Sequence, residues 1–360
     1  MPEEASNTPN ANFEPSVITA GIVGATGYTG LELIRLSEFH PFLKIESITS
    51  REQAGKTLKE LFGWNGKYAH LILEEPNPEK IAEKVQAVFL CVPSGKAQEL
   101  AYSFLKRGIK VIDFSADFRF KNLSLYEKVY GIKPSYPELS QKAIYGLSEI
   151  FEREIKEADL VANPGCYPTS ILLPLIPLLK EDLIEKNYLI ADSKSGVSGA
   201  GRKSEEYYSF CEISEDFKAY KIATHRHTPE IEEKLSLLKG EEVQIVFTPH
   251  LIPINRGIFS TIYVKFRSSL LTIYEYLKEF YQNKTFIEVV PLGRIPRISE
   301  VVGTNLCKIG LFEDKKRGWG IIVSVIDNLI KGASGQALQN FNLMFNLPED
   351  IGLPKTSFFV

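Results

Sequence analysis

The chain has 360 residues, 44% of them hydrophobic and 24% charged, the balance of a globular protein long enough for two domains. A formal net charge of −3 lacks the basic excess that phosphate neutralisation needs, which argues against a nucleic-acid partner and for a small molecule. Cys91, Cys166, Cys211 and Cys307 share no C-x-x-C spacing, and no apolar run reaches the roughly 20 residues of a membrane helix, so a disulfide framework, a zinc site and a membrane span are not expected.

Residues 1–15 are polar, with neither the basic nor the apolar region of a signal peptide, and read as a loose extension of a cytoplasmic protein. Val17–Val23 then forms an apolar strand that runs into Gly24-Ala25-Thr26-Gly27-Tyr28-Thr29-Gly30. Leu31, Leu33, Ile34 and Leu36 follow at helical spacing. In such a strand–loop–helix unit the glycines allow a tight turn and close approach of a pyrophosphate to the helix N-terminus, making Gly24, Thr26, Gly27, Tyr28, Thr29 and Gly30 candidate dinucleotide contacts. The spacing is G-x-x-G-x-x-G rather than G-x-G-x-x-G, and taken alone it equally describes an ordinary tight turn.

The second strand, Leu43–Thr49, ends in Ser50-Arg51. A carboxylate there would bind a free ribose 2′-hydroxyl; a hydroxyl and a guanidinium suit a 2′-phosphate, so Ser50 and Arg51 point to NADP, unless Arg51 is merely a solvated surface residue. Val85–Val92 and Val111–Phe114 are buried-strand runs. They end in Cys91-Val92-Pro93-Ser94-Gly95 and Asp113-Phe114-Ser115-Ala116-Asp117-Phe118-Arg119, and ligands lie beyond such strand ends in an open parallel sheet. Cys91 and Pro93 are placed at the cofactor and Ser115 at the substrate. Arg119 is either an anion anchor or a structural partner of Asp113 or Asp117.

A helical stretch near Glu152–Ala158 and a short strand, Leu160–Ala162, lead to Asn163-Pro164-Gly165-Cys166-Tyr167-Pro168-Thr169-Ser170. A thiol at the start of a helix meets unpaired N–H groups and a partial positive charge, which favour thiolate and can hold an oxyanion. Cys166 is the candidate nucleophile, the alternative being a buried cysteine serving as a small hydrophobe; Asn163 is a candidate substrate contact. Pro174 and Pro177 predict a short or kinked helix, since an interior proline costs about 3 kcal/mol.

Beyond residue 188 the pattern changes to strands at Tyr188–Ser193, Val243–Thr248 and Ile258–Phe266 with helices at Pro229–Leu238 and Ile273–Tyr281, which predicts an α+β domain on an antiparallel or mixed sheet. Ser195-Gly196-Val197-Ser198-Gly199-Ala200-Gly201-Arg202 reads as a flexible ligand-side loop. His225 and His227 flank Arg226 just before Thr228-Pro229, a helix start by N-cap and first-turn preference, and histidine is the side chain best suited to exchange protons near neutral pH. No third ligand or carboxylate shell accompanies them, so no metal is expected. The strand Trp319–Ile326, a polar loop and a final helix, Gln336–Phe345, close the chain. The expected division is a nucleotide domain, 16–165, completed by 327–360, and a catalytic and oligomerisation domain, 166–326.

With these motifs assembled, the chain resembles the N-acetyl-gamma-glutamyl-phosphate reductase family, of the aspartate-semialdehyde dehydrogenase-like superfamily, from about Ile18 to the last helix. The carriers are the glycine loop, the Asp113–Arg119 run, Asn163–Thr169, Ser195–Arg202 and His225-Arg226-His227-Thr228-Pro229-Glu230-Ile231. The resemblance implies a Rossmann-type NADP-binding domain, an α+β domain of the glyceraldehyde-phosphate-dehydrogenase type, NADPH as reductant and a homo-oligomer, a dimer or tetramer. It implies Cys166 as nucleophile, a histidine of the His-Arg-His motif as acid/base, His227 favoured over His225 for its place at the helix start, and Ser195, Gly196, Gly199 and Asn328 beside the cofactor; Arg119 and Arg202 are candidates for the substrate's phosphate or carboxylate. The implied reaction is reduction of an acyl phosphate through a cysteine thioester in arginine biosynthesis. Aspartyl phosphate or carrier-linked aminoadipyl phosphate as substrate, or a non-catalytic NADP sensor, are the competing readings.

Overall fold

A computed structural model describes residues 16–202 and 208–358; the polar extension 1–15 lies outside the described residues. Seven strands form the first sheet: β1 (Ile18–Val23), β2 (Leu43–Thr49), β3 (Leu73–Glu74), β4 (Ala87–Leu90), β5 (Lys110–Asp113), β6 (Ile144–Tyr145) and β7 (Leu160–Ala162). Their order is β3-β2-β1-β4-β5-β7-β6, with every pairing parallel. The central strands are buried on both faces, which is why they read as unbroken apolar runs rather than alternating ones. Chain progression reverses between β1 and β4, and the crevice beyond that switch point is where an open parallel sheet takes its ligand.

The last helix, Gly335–Met344, belongs to this first unit. Ala337, Leu338 and Phe341 join Ile22, Ile34 and Phe89 in one core, with the Phe341 and Phe89 rings 5.7 Å apart.

The second sheet contains β8 (Ile190–Gly196), β9 (Lys218–Ala219), β10 (Val246–Ile252), β11 (Ile258–Val264), β12 (Ile287–Val289), β13 (Cys307–Asp314) and β14 (Trp319–Ile326). It runs β12-β13-β14-β11-β8-β10-β9 and is mixed: β8 and β10 are parallel, as are β12 and β13, and the remaining pairs are antiparallel. The ligand-loop reading of Ser195–Arg202 is corrected in part. Ser195 and Gly196 finish β8, and a Cβ on Gly196 would sit 2.8 Å from the Arg256 backbone nitrogen, so Gly196 is small because it is crowded. Val197–Ala200 turns out of the sheet as a short 3-10 segment, and Gly201 and Arg202 continue beyond it.

The short or kinked helix expected after Cys166 is a single helix, Cys166–Lys180, passing through both prolines, with Tyr167 to Leu179 buried throughout. Pro177 has no N–H for the Leu173 carbonyl four residues back; the Tyr281 hydroxyl donates to that carbonyl instead, at 2.5 Å. Burial of the surrounding leucines against the second sheet offsets the proline penalty.

Candidate active site

The glycine loop leaves β1 at the switch point. Gly24 has φ +87, and a Cβ on it would lie 2.4 Å from the Cys91 carbonyl, while one on Gly30 would lie 2.7 Å from the Ala25 Cα. Both glycines are therefore required by space, whereas Gly27 faces open room and caps the first helix (Tyr28–Ser37) without a side-chain hydrogen bond. The N–H groups of that first turn are left for a ligand, and the donor set fits a dinucleotide pyrophosphate. Thr26 and Ser50 hydroxyls lie 3.3 Å apart, and Arg51 is exposed beside them. Cys91 stands behind the loop: its carbonyl is the wall on which Gly24 packs, and burial pushes its thiol up to about 12.

Cys166 is the first residue of its helix and follows the carboxyl end of β7. It opens into a cleft of about 340 Å³ between the two sheets. One wall is Pro93, Ser115 and Arg119 from the first domain; facing them are Ser195, Gly199, His225 and His227 from the second. Lys221 and Arg226 add positive charge, and no Asp or Glu lines the cleft among the described residues. Such a surface selects an anion.

Burial works against the thiolate expected at a helix N-terminus. Burial pushes the Cys166 thiol up to about 11, outweighing the Tyr167 N–H, the Arg119 guanidinium and its own N–H, all of which pull the other way. A base must take its proton. His227 begins the helix His227–Lys239, two residues before the start expected at Pro229, and the buried Thr228 hydroxyl caps nothing among the described residues. Its Nε2 lies 2.5 Å from where a Cβ on Gly165 would be, beside the nucleophile. Burial, then Arg119, holds its pKa well below the ordinary histidine value, so the resting ring is neutral. The His225 ring centroid is 4.8 Å from that of His227, and His225 Nδ1 accepts the His227 backbone N–H at 3.1 Å. His225 thus supports the turn from which His227 projects.

Other expected site residues lie one layer away from the cleft. Asn163, anticipated at the substrate, is buried beneath it: its amide donates to the Ala333 carbonyl at 3.0 Å and accepts from Asn340 at 3.1 Å, so it shapes the loop instead. Arg202 departs from the substrate as well. It donates to the Thr26 carbonyl at 2.9 Å and lies over the Phe62 ring, on the glycine-loop side. Asn328 accepts from the Gly257 N–H at 2.7 Å and donates to Ser198 at 2.9 Å, bracing the 3-10 segment that carries Gly199. Arg119 pairs with neither Asp113 nor Asp117 but with Glu230, at 3.1 Å.

Three features carry no role in the sequence reading. Arg226 and Glu230 stand inside a motif read for its histidines. Lys221 has no motif at all, and only its left-handed backbone, φ 45, marks it in the fold. The third is a π-helical turn, Ile330–Ser334, whose Gly332 would bring a Cβ within 2.8 Å of the Cys166 Cβ and therefore lets the chain lie against the nucleophile.

Two family models match: the semialdehyde dehydrogenase NAD-binding domain over residues 19–158 and the semialdehyde dehydrogenase dimerisation domain over 166–328. The sequence is 49% identical over 339 residues to the N-acetyl-gamma-glutamyl-phosphate reductase of Caldicellulosiruptor saccharolyticus, covering 94% of this chain and 98% of that protein. It is 47% identical over 338 residues to the one of Pelotomaculum thermopropionicum, covering 93% and 97%. Among solved structures, aspartate semialdehyde dehydrogenase II of Vibrio cholerae superposes with a TM-score of 0.70 at 16% identity, over 92% of this chain and 99% of that one. The NADP-bound aspartate semialdehyde dehydrogenase of Candida albicans gives 0.67 at 19% identity, over 93% and 100%, a likeness of fold. The chain belongs to the N-acetyl-gamma-glutamyl-phosphate reductase family, built on the two semialdehyde dehydrogenase domains.

Proposed function

We propose that this chain catalyses the NADPH-dependent reductive dephosphorylation of N-acetyl-L-glutamyl 5-phosphate to N-acetyl-L-glutamate 5-semialdehyde and phosphate, the reaction named by its relatives and a step of arginine biosynthesis. The observation that carries it is that Cys166 and a neutral His227 line one cleft whose charged side chains, among the described residues, are all cationic.

His227 takes the Cys166 proton as sulfur attacks the acyl carbon, phosphate departs, and a thioester remains. When bound, the nicotinamide cofactor supplies a hydride to that thioester carbonyl. His227 then gives its proton to the developing thiohemiacetal oxygen, a charge that N–H groups at the start of a helix also favour. Return of that proton to His227 releases the aldehyde and restores the sulfur. Lys221, Arg226 and the unpaired donors of Arg119 are suited to the phosphate and carboxylate of the substrate.

The glycine loop supports a dinucleotide, and Ser50 with Arg51 supports NADPH over NADH. The dimerisation-type domain supports a homo-oligomer, a dimer or tetramer. Among the described residues no helix is long and apolar enough to cross a membrane, and no cluster of three His, Cys, Asp or Glu could hold a metal.

The test is reduction of NADP+ in the reverse direction, with N-acetylglutamate semialdehyde and phosphate compared against aspartate semialdehyde. Turnover should need both substrates and vanish in Cys166→Ser. A preference for aspartate semialdehyde would reject the named substrate.

A further inference from the structure

Glu230 lies one turn beyond His227 on the same helix and is fully buried. Its Oε1 accepts the Gly165 backbone N–H at 3.0 Å and the Tyr145 hydroxyl at 2.8 Å, and its Oε2 accepts from Arg119 Nη1 at 3.1 Å. Gly165 is the residue before Cys166 and caps its helix. Arg119 in turn donates to the Phe114 and Asn163 carbonyls, at 2.7 and 2.8 Å, where β5 and β7 end. One carboxylate therefore joins the helix of the proposed base to the backbone of the proposed nucleophile and, through Arg119, to the edge of the nucleotide sheet.

A buried charge is a costly way to hold two helices together, and an apolar side chain of similar volume often does so as well. What an apolar contact cannot do is fix direction: each of the three donors must meet a particular oxygen, so a small slide of one helix against the other breaks them together. We propose that Glu230 is a positioning residue for the reaction, setting the register of the His227 helix against Gly165-Cys166 so that the imidazole stays beside the sulfur. This rests on the reading of Cys166 and His227 as the reacting pair.

The same carboxylate balances charge. Arg119 favours the Cys166 thiolate and opposes protonation of His227, and Glu230 counters it at the sulfur. Besides Arg119 and Cys166, the titratable groups that feel the Glu230 charge are Tyr145 from β6, Tyr130 and His225.

Wild-type protein, Glu230→Gln, Glu230→Asp and Cys166→Ser are assayed in the NADP+-reducing direction. In parallel, iodoacetamide labelling is followed across pH by the mass of the Cys166 peptide, because the exposed Cys211 also reacts. The expected result for Glu230→Gln is a kcat lowered about 100-fold per titratable Cys166 with KM values within about threefold, and about tenfold recovery in Glu230→Asp. The labelling midpoint moves about one pH unit lower in Glu230→Gln, since Arg119 is left without its counter-charge. A purely structural role would reduce the number of titratable sites and leave kcat per site and the midpoint unchanged, and that result overturns the proposal. Should Glu230→Gln not fold, Glu230→Asp decides: a lower kcat at unchanged KM supports it, and wild-type kcat overturns it. An inactive wild-type protein would instead reject the assigned reaction, with the labelling midpoint still reporting on Glu230.

Discussion

Gly165 and His227 are in mutual contact across the domain junction: the space a Cβ would fill on Gly165 is taken by His227 Nε2, 2.5 Å away. The backbone at Gly165, φ −66 and ψ 153, is open to any residue, so the glycine is there for the imidazole and not for the turn. Gly165→Ala should fold and bind cofactor normally while pushing the ring off the sulfur. A displacement of about 1 Å can cost about 100-fold in kcat. Steady-state kinetics with KM for NADP+ held within twofold is the expected pattern; an unaltered kcat would show that His227 need not lie where it does.

The Cys166 thiol, pushed up to about 11 by burial, predicts how it reacts. Because its pKa is raised, the thiolate fraction at neutral pH is lower than that of a free cysteine, and it grows about tenfold with each pH unit below that value. Alkylation of Cys166 in the free enzyme should therefore climb without a plateau between pH 7 and 10, while the exposed Cys211 labels readily throughout. A plateau by pH 8 would mean that the helix N-terminus outweighs burial after all.

How much of this was legible in the sequence follows the range of each interaction. The glycine loop, the Cys166 turn and the His-Arg-His segment are local patterns whose backbone demands show in a few consecutive residues. The unbroken Cys166 helix was not legible, because the hydroxyl that replaces the missing Pro177 N–H comes from Tyr281, in a helix-end position far along the chain. Asn163 was placed at the substrate because it is polar and near the cysteine; its partners, Ala333 and Asn340, arrive only when the last helix folds back on the first domain. The strand Cys307–Asp314 went unassigned, and it pairs along its whole length with the strand Trp319–Ile326, which the sequence did show.

Removing the guanidinium at the end of the second strand tests the cofactor assignment. Arg51 is exposed next to Ser50, whose hydroxyl is 3.3 Å from that of Thr26. A charge-assisted bond to a 2′-phosphate contributes about 1.5–3 kcal/mol, so Arg51→Ala should raise KM for NADPH by about 10- to 100-fold. The KM for NADH, which lacks that phosphate, should stay within about twofold. Equal losses for both cofactors would place Arg51 outside the 2′ site.

Acid should weaken the fold through the two histidines. Burial, followed by the charge of its neighbour His227, pushes His225 down to about 2, and burial with Arg119 holds His227 well below its ordinary value. Both folded-state values are depressed, so their neutral rings contribute stability that is complete above the unfolded value of about 6.5 and is lost as pH falls. Between pH 6.5 and 5.5, above the range of ordinary carboxylates, each histidine should remove about 1 kcal/mol as the unfolded chain takes up its proton. Urea unfolding at these two pH values should show the loss in wild-type protein and a flatter profile in the His225→Asn/His227→Asn variant. The two substitutions should differ in activity: His227→Asn loses proton transfer and falls about 10²- to 10⁴-fold in kcat. His225→Asn retains an acceptor for the His227 N–H and should fall less than about tenfold. The reverse ranking would make His225 the residue that moves the proton.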